Sequence, residues 1–220
     1  MKYRPCFYIV ALLFFISFGR VQAQYTENDW QERDGWMQLH KLYEWAGLET
    51  GDTVADVGCH EGYLSLRLAQ TIGTQGKVYA VDVREDRLET LKRHVADRKL
   101  QNVKIVLGDY DNPKLPAAAM DIVFVIDTYH EMADYELMLS HLKNSLKPGG
   151  RIVILEKLKA HMKGKPRERQ VEAHTLSIKY VKKELKDAGL HLSKEVKDFG
   201  IWNGEPDKRM WVLVATNPTL

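Results

Sequence analysis

The chain has 220 residues, and its 32 lysines and arginines nearly balance its 30 aspartates and glutamates, which gives a formal net charge of +2 at pH 7. This near-neutral composition gives no general electrostatic reason to expect nucleic acid or an anionic membrane as a partner. The length fits one domain with a sizeable hydrophobic core.

The amino terminus has the pattern of a secretory signal peptide. Lys2 and Arg4 precede an apolar run over residues 6–18, and residues 21–23 form a small-x-small cleavage pattern. We therefore expect a signal peptide over residues 1–23 and export of the remaining chain as a periplasmic or secreted protein. The alternative is an uncleaved leader that anchors the protein to a membrane.

Removal of this leader changes the charge and the cysteine count. The leader carries three basic residues and no acids, so the mature domain over residues 24–220 has a formal net charge of −1. Cys59 is then the remaining cysteine, and no internal disulfide is possible. Because the apolar run is shorter than the about 20 residues that a helical span needs, we expect no stable membrane span after cleavage.

A strand–turn–helix pattern in the first third of the mature chain organises the rest. Residues 54–57 are apolar around one acid and predict a short buried strand, and Gly58 and Gly62 bracket the turn that follows. We name residues 58–62 the glycine turn. A helical pattern begins at Tyr63, so the turn brings backbone N–H groups close to a ligand. The alternative is an ordinary βα turn that needs glycine only for its dihedral angles.

Strands and helices alternate through the middle of the chain, joined by short turns. This alternation predicts right-handed βαβ units and a parallel sheet, and strands that are apolar throughout predict helices on both faces. The predicted strands span residues 54–57, 77–82, 103–107, 121–127 and 151–155. The predicted helices span residues 28–47, 63–73 and 134–146, with a further helix around Leu88, Leu91 and Val95.

The carboxyl-terminal part of the chain breaks this alternation. A helix predicted from Ser177 to Gly189 is followed by two strands, residues 191–196 and 210–215, with too few residues between them for a crossover helix. The two strands should therefore be antiparallel. The predicted fold is α/β, with a Rossmann-like seven-stranded, mostly parallel sheet, helices on both faces and an antiparallel last strand.

Acidic residues lie within or at the ends of the first four predicted strands. They are Asp56, Asp82, Asp109 and Asp127. Ligands of open α/β sheets bind beyond the carboxyl ends of the strands, where the carboxylate of Asp82 suits a ribose diol and that of Asp109 an exocyclic amine. Each acid alone has an alternative role as a helix cap or turn residue.

These motifs resemble those of class I S-adenosylmethionine-dependent methyltransferases, over roughly residues 50–215. The motifs that carry the resemblance are Asp56-x-Gly58-x-x-x-Gly62, Asp82 after the second strand, Gly108-Asp109, Asp127-Thr128-Tyr129-His130-Glu131 and Leu146-Lys147-Pro148-Gly149-Gly150. The antiparallel final strand also follows this family's pattern. One departure is that His60 replaces the middle glycine of the usual Gly-x-Gly-x-Gly.

The resemblance implies S-adenosylmethionine as the cofactor and a distribution of contacts to it. Asp56 and the glycine turn would hold the methionine part, and Asp127 would line the pocket beside it. Asp82 would bind the ribose hydroxyls and Asp109 the adenine amine. The implied cofactor-binding residues are Asp56, Gly58, Cys59, His60, Gly62, Asp82, Val83, Gly108, Asp109, Tyr110 and Asp127.

Methyl transfer from a sulfonium needs alignment and desolvation, and it needs a base where the acceptor must lose a proton. The candidates for that role are His130, Glu131 and His174, although either histidine could instead cap or pack. Because His130 and Glu131 are adjacent and no His-x-x-x-His or cysteine pair supports them, we expect no metal site.

Two further segments are candidates for the acceptor side. Trp202 follows the sixth strand and is hypothesised to line the acceptor pocket with His130 and His174; the alternative is that it packs against the amino-terminal helix. The basic segment over residues 157–169 would suit an anionic acceptor or a membrane face, and a solvated flexible loop is the commoner explanation.

We therefore expect a methyltransferase for a small-molecule acceptor, with no nucleic-acid partner; the sequence does not indicate an oligomeric state. Two alternatives remain open. A nicotinamide-dependent oxidoreductase shares the opening βαβ unit, but the turn is Gly-x-x-x-Gly rather than Gly-x-Gly-x-x-Gly. A non-catalytic exported binding protein on the same fold is the other, because the cofactor is made in the cytoplasm.

Overall fold

The computed structural model describes residues 27–219, so the predicted leader lies outside the described residues. Within this part of the chain, seven strands form one sheet. They are β1 (Thr53–Val57), β2 (Lys77–Asp82), β3 (Val103–Leu107), β4 (Met120–Ile126), β5 (Leu146–Lys159), β6 (His191–Ile201) and β7 (Lys208–Thr216). Their order in the sheet is β3-β2-β1-β4-β5-β7-β6. The first five strands are parallel, and β7 is antiparallel to both of its neighbours, which confirms the predicted fold.

Seven α-helices of the described chain cover the two faces of this sheet. They are α1 (Trp30–Met37), α2 (Leu39–Ala46), α3 (Tyr63–Ile72), α4 (Glu85–Asp97), α5 (Tyr135–Ser145), α6 (Arg167–Glu172) and α7 (Ile178–Asp187). Successive strand residues enter different cores: Phe124 packs on the side of α1 to α4, and its neighbours Val123 and Val125 pack on the side of α5 and α7. Burial on both faces explains why these strands are apolar throughout.

The sheet has a topological switch point between β1 and β4. These strands are adjacent, with Val54 beside Ile122 and Asp56 beside Phe124, although β2 and β3 separate them in the sequence. After β1 the chain adds β2 and β3 on one side of the sheet, and after β4 it adds β5, β6 and β7 on the other side. The crevice beyond the carboxyl ends of these two strands is where ligands bind in open α/β sheets.

β5 is longer than predicted at both ends. It begins at Leu146, so it includes the Lys-Pro-Gly-Gly sequence that predicted a turn, and it continues to Lys159. β7 stabilises the extension at the carboxyl-terminal end, because it pairs with β5 from Arg151 to Lys159. The carboxyl-terminal extension places Glu156 and Lys157 beside the crevice.

The helix predicted over residues 28–47 is broken at Gln38 into α1 and α2. Gln38 has a left-handed φ of 48°, and its side-chain Nε2 donates a hydrogen bond of 2.9 Å to the carbonyl of Phe199. This contact joins residues that are 161 positions apart, so the helical periodicity of the segment alone did not reveal the break.

The basic segment over residues 157–169 contains regular elements, and most of its residues from 160 to 169 are exposed to solvent, in line with a solvated segment. It comprises the end of β5, a 3-10 turn at Ala160–Met162 and the start of α6. The fully buried Gln170 donates through Nε2 to the carbonyls of Met162 and Lys165, and these satisfied buried bonds hold the segment against the domain. Among residues 27–219, no helix has the length and apolar character of a membrane span.

Candidate active site

A cavity of about 630 Å³ lies at the switch point, and residues from the predicted cofactor and acceptor sites share its wall. Its lining includes Asp56, Gly58, Cys59, His60, Asp82, Val83, Asp109, Tyr110, Asp127, His130, Glu131 and His174. Of the predicted site residues, Gly62 and Gly108 are not in the wall. A Cβ at Gly62 would lie 2.2 Å from Leu91 Cδ1, so this glycine allows the turn to pack against α4.

The glycine turn is held against the end of β2. The N–H groups of Gly58 and Cys59 both donate to the carbonyl of Val81, with N···O distances of 2.8 and 3.0 Å. Gly58 has a φ of +85°, and a Cβ there would lie 2.2 Å from Thr128 Oγ1. Glycine is therefore needed at this position both for the backbone conformation and for the close approach to the segment after β4.

His60, which departs from the family pattern, adopts a left-handed φ of 50°. Its N–H donates to Asp82 Oδ2 at 2.8 Å, and the N–H of Arg84 donates to Asp82 Oδ1 at 2.9 Å. The two bonds hold the carboxylate at the cavity wall. Because each carboxylate oxygen has two lone pairs, Asp82 can still accept hydrogen bonds from a vicinal diol.

Asp56 lies at the inner end of the cavity and is buried. It accepts a hydrogen bond of 2.6 Å from Ser65 Oγ, and burial raises the pKa of its carboxyl to about 6. The Arg33 side chain, also buried, lines the same end and partly offsets this shift electrostatically. Its guanidinium lies 4.1 Å from the ring centroid of Tyr63. Arg33 was not predicted as a site residue, and its one signal in the sequence was a charge within an aromatic-rich helix.

The opposite end of the cavity is open to solvent. Asp109 Oδ1 lies 2.9 Å from Lys114 Nζ in an exposed ion pair, and Tyr110 is 75% exposed. This end therefore offers a carboxylate and an unpacked aromatic ring at the rim.

Another part of the cavity wall brings the three candidate catalytic residues together. The imidazole of His130 is buried, and its Nε2 lies 3.0 Å from Glu131 Oε1. The same oxygen lies 2.7 Å from Nδ1 of His174, which comes from the connection between α6 and α7. The structure thus joins two segments that are 43 residues apart in the sequence.

Two residues of the β5 extension complete this region. Glu156 is fully buried, and both of its carboxylate oxygens lie 2.9 Å from His130 Nδ1. Lys157 forms a buried ion pair with Asp127, which has a left-handed φ of 54°. Glu156 and Lys157 were not predicted as site residues because they follow the predicted end of the strand. Two charged residues directly after an apolar strand were the one sign in the sequence that they lie at the site.

The carboxylates strongly favour a positive charge on His130. Burial opposes protonation, but Glu156, Glu131 and Asp127 outweigh it and raise the pKa of His130 to about 10. Hydrogen bonding from His130 in turn lowers the pKa of Glu131 to about 2, against a smaller opposing effect of burial.

Trp202 is not in the cavity wall. It is 1% exposed, its ring centroid lies 4.7 Å from that of Trp36, and Lys157 Nζ lies 4.6 Å from its centroid on another side. The hypothesis that Trp202 lines the acceptor pocket is therefore wrong, and the alternative of packing against the amino-terminal helix is correct.

Comparison with known proteins agrees with this geometry. The family model described as a methyltransferase domain matches residues 48–189, which include every predicted cofactor-binding residue and the three candidate catalytic residues. The chain belongs to the methyltransferase-domain family. The family match ends before β6, and Arg33 lies before it begins, so the amino-terminal helices and the last hairpin are outside the shared part.

Several relatives of this methyltransferase-domain protein are known. A demethylmenaquinone methyltransferase of Geobacillus sp. (strain WCH70) is 30% identical over 109 residues, covering 50% of this chain and 47% of the relative. An aklanonic acid methyltransferase of Streptomyces sp. (strain C5) is 30% identical over 110 residues, covering 47% of each chain. The chain thus spans about half the length of the curated relatives it matches.

Solved structures show the same architecture over more of the chain. A SAM-dependent methyltransferase from Aquifex aeolicus has a TM-score of 0.70 and 27% identity, covering 84% of this chain and 92% of its own. The [4+2]-cyclase SpnF has a TM-score of 0.72 at 17% identity, a likeness that concerns the fold alone.

Proposed function

We propose that the protein binds S-adenosylmethionine and transfers its methyl group to a small-molecule acceptor. One observation carries this proposal: Asp56, Asp82, Asp109 and Asp127, which lie within, at the end of or shortly after four different strands, line one cavity beside the glycine turn. Membership of the methyltransferase-domain family supports it, and the Aquifex aeolicus structure is that of a SAM-dependent enzyme. Neither the family nor that structure supports the nicotinamide or binding-protein alternative.

The residues of the cavity fit the chemical groups of this cofactor. Asp82, fixed by two backbone bonds, would accept from the ribose hydroxyls, and Asp109 at the open rim would accept from the adenine amine. Asp56 and Arg33 supply opposite charges at the inner end, which match the ammonium and carboxylate of the methionine part. Gly58 permits the close backbone approach that a side chain would prevent.

The cofactor would supply an already activated methyl group, so this chain's residues mainly position and enclose the reactants. The buried ion pair of Asp127 and Lys157 would form the wall beside the methionine part. His130, Glu131 and His174 would hold the acceptor's polar group on the far side. Because His130 Nδ1 lies 4.0 Å from Asp127 Oδ1, this placement would put the acceptor beside the methionine part.

In this proposal the acceptor is a small molecule that enters the part of the cavity beside His130, whose volume is about 630 Å³ in all. Met132 and Met138 provide apolar walls, and Lys159 and Lys208 line its outer part. The names of the curated relatives, which include demethylmenaquinone, aklanonic acid and 2-phytyl-1,4-naphtoquinone methyltransferases, support an acceptor of this class.

Transfer of a labelled methyl group tests the proposal. The protein is incubated with methyl-labelled S-adenosylmethionine and separated pools of small molecules, including quinones and hydroxyaromatic acids. We expect label in a small-molecule product and formation of the demethylated cofactor, both lost in Asp82→Ala. Cofactor binding without transfer to any pool would contradict the catalytic part of the proposal.

We also propose that residues 1–23 act as a signal peptide and that the protein works outside the cytoplasm. The charged start, the apolar run and the cleavage pattern support this proposal. Amino-terminal sequencing of protein from the exported fraction should begin at Gln24. An intact Met1 on membrane-bound protein would instead identify an uncleaved anchor.

A further inference from the structure

Three side chains in the acceptor part of the cavity have the arrangement of metal ligands. His130 and Glu131 belong to the 3-10 turn Tyr129–Glu131 after β4, and His174 precedes α7. One nitrogen of each imidazole and one oxygen of Glu131 all lie within 4.8 Å of one another. We name these three residues the His–Glu–His cluster.

The spacing within the His–Glu–His cluster is close to that of atoms bound to one ion. Glu131 Oε1 lies 3.0 Å from His130 Nε2 and 2.7 Å from His174 Nδ1. Ligand atoms about 2.1 Å from a divalent ion lie roughly 3.0–3.4 Å apart in octahedral or tetrahedral geometry. The two imidazole nitrogens lie within 4.8 Å of each other, and a turn of the exposed His174 side chain would bring them to the spacing of atoms bound to one ion.

Glu156 provides the support that metal-binding histidines usually have. It is fully buried, lies 2.9 Å from His130 Nδ1 through both oxygens, and also accepts from the backbone N–H of His130 at 3.1 Å. Nε2–H of His130 faces Glu131 Oε1 in the metal-free protein, and a bound ion would replace that proton while Nδ1–H continues to donate to Glu156. Such carboxylate–histidine pairs fix the tautomer and orientation of metal-binding imidazoles.

The surroundings also leave room for an ion to enter and for a further ligand. All three residues line the cavity, and the Glu131 and His174 side chains are more than half exposed while that of His130 is buried. Two imidazoles and one carboxylate with open positions are a donor set that suits zinc and divalent iron, which have borderline softness.

We propose that His130, Glu131 and His174 bind one divalent transition-metal ion whose open positions face the acceptor pocket. Those positions would take water or an oxygen donor of the acceptor, such as a hydroxyl or carbonyl group. The role toward the acceptor rests on the proposed function, whereas metal binding itself does not.

Metal titration tests the site directly. The full-length chain, purified without a histidine tag and stripped with a chelator, is titrated with Co²⁺ by visible absorption and with Zn²⁺ against a chromophoric chelator. We expect one ion per chain, with Zn²⁺ displacing Co²⁺. Glu131→Gln, His174→Ala and the positioning variant Glu156→Gln should each weaken binding about 10–100-fold.

The matched control is His191→Ala, which removes an exposed histidine at the start of β6 and should bind metal like the unmodified chain. Thermal melting of each variant separates loss of the site from loss of the fold. Binding of S-adenosylmethionine by the chelator-treated chain is measured alongside, so failure of the metal site and failure of the proposed function are distinguishable. Absence of saturable one-ion binding, or binding unchanged in Glu131→Gln and His174→Ala, would show that the cluster is only an ion-paired network.

Discussion

The carboxylate of Asp82 accepts a hydrogen bond from the backbone N–H of His60, with 2.8 Å between Oδ2 and N. This bond joins the end of β2 to the glycine turn at the residue where the chain departs from the family's glycine pattern. The carboxylate proposed to bind ribose thus also holds the turn that faces the methionine part.

Replacement of Asp82 should weaken cofactor binding more than it changes the fold. We expect Asp82→Ala to reduce the affinity for S-adenosylmethionine by about 1–3 kcal/mol, because buried donors of the cofactor and the turn lose their acceptor. Asp82→Asn keeps one acceptor oxygen and should lose less. Calorimetric titration measures both, with Asp86→Ala on the exposed side of α4 as the control. Unchanged affinity in Asp82→Ala would overturn the ribose assignment.

Gly58 gives a test that separates backbone strain from steric contact. In Gly58→Ala the new Cβ would lie 2.2 Å from Thr128 Oγ1 at a φ of +85°, whereas Gly51→Ala has a φ of +92° with no atom within 4 Å. Strain costs about 1–2 kcal/mol in both variants. The additional clash at Gly58 should lower the melting temperature further and abolish cofactor binding. Equal effects of the two substitutions would contradict the close approach.

Asp56 should make stability depend on pH. Burial raises its pKa from the ordinary 3.8 to about 6, so the folded state binds this proton more tightly than the unfolded state. The resulting contribution, roughly 3 kcal/mol at most, is fully present below pH about 4 and is lost as pH rises through about 6. Urea unfolding between pH 4 and 7 should show this loss, and Asp56→Asn should remove it. An identical pH slope in Asp56→Asn would contradict the assignment.

The same group should link cofactor binding to pH. The ionised carboxylate attracts the ammonium of the methionine part and the protonated one does not, so affinity should rise between pH 5 and 7 with release of a proton. Calorimetry in two buffers of different ionisation enthalpy counts that proton. No proton release, or equal release from Asp56→Asn, would assign the ammonium to another partner.

Trp202 should act through packing. Because its ring is buried against Trp36, Trp202→Ala should cost about 3–5 kcal/mol in the free energy of unfolding, and Trp202→Phe should cost less. At a temperature where the variant remains folded, methyl transfer should persist. Lost transfer at unchanged stability would restore a role for Trp202 in the acceptor pocket.

Much of the fold follows from local patterns in the sequence. Uniformly apolar strands and short connections determine a parallel sheet buried on both faces, and the missing helix before β7 determines the antiparallel strand. Because ligands of open α/β sheets bind beyond the carboxyl ends of the strands, Asp56, Asp82, Asp109 and Asp127 were expected at one site, and they line one cavity. These features could be predicted without knowing which segments that are distant in the sequence contact each other in the fold.

The features that were missed depend on such distant contacts. The break at Gln38 is fixed by Phe199, and the extension of β5 that carries Glu156 is fixed by pairing with β7. The expectation of no metal site stays a prediction, and it rested on the spacing of His130 and Glu131 in the sequence alone. His174 reaches them through a connection held by Gln170, which accepts from the N–H of Ser177 at 2.8 Å, and no local pattern indicated this.

Calorimetric titration of the full-length chain with S-adenosylmethionine, its demethylated product and NAD tests the central claim most directly. We expect saturable binding of the first two ligands at one site per chain, weakened in Asp82→Ala, and no comparable binding of NAD. Absence of heat with both adenosyl ligands, or tighter binding of NAD, would contradict it.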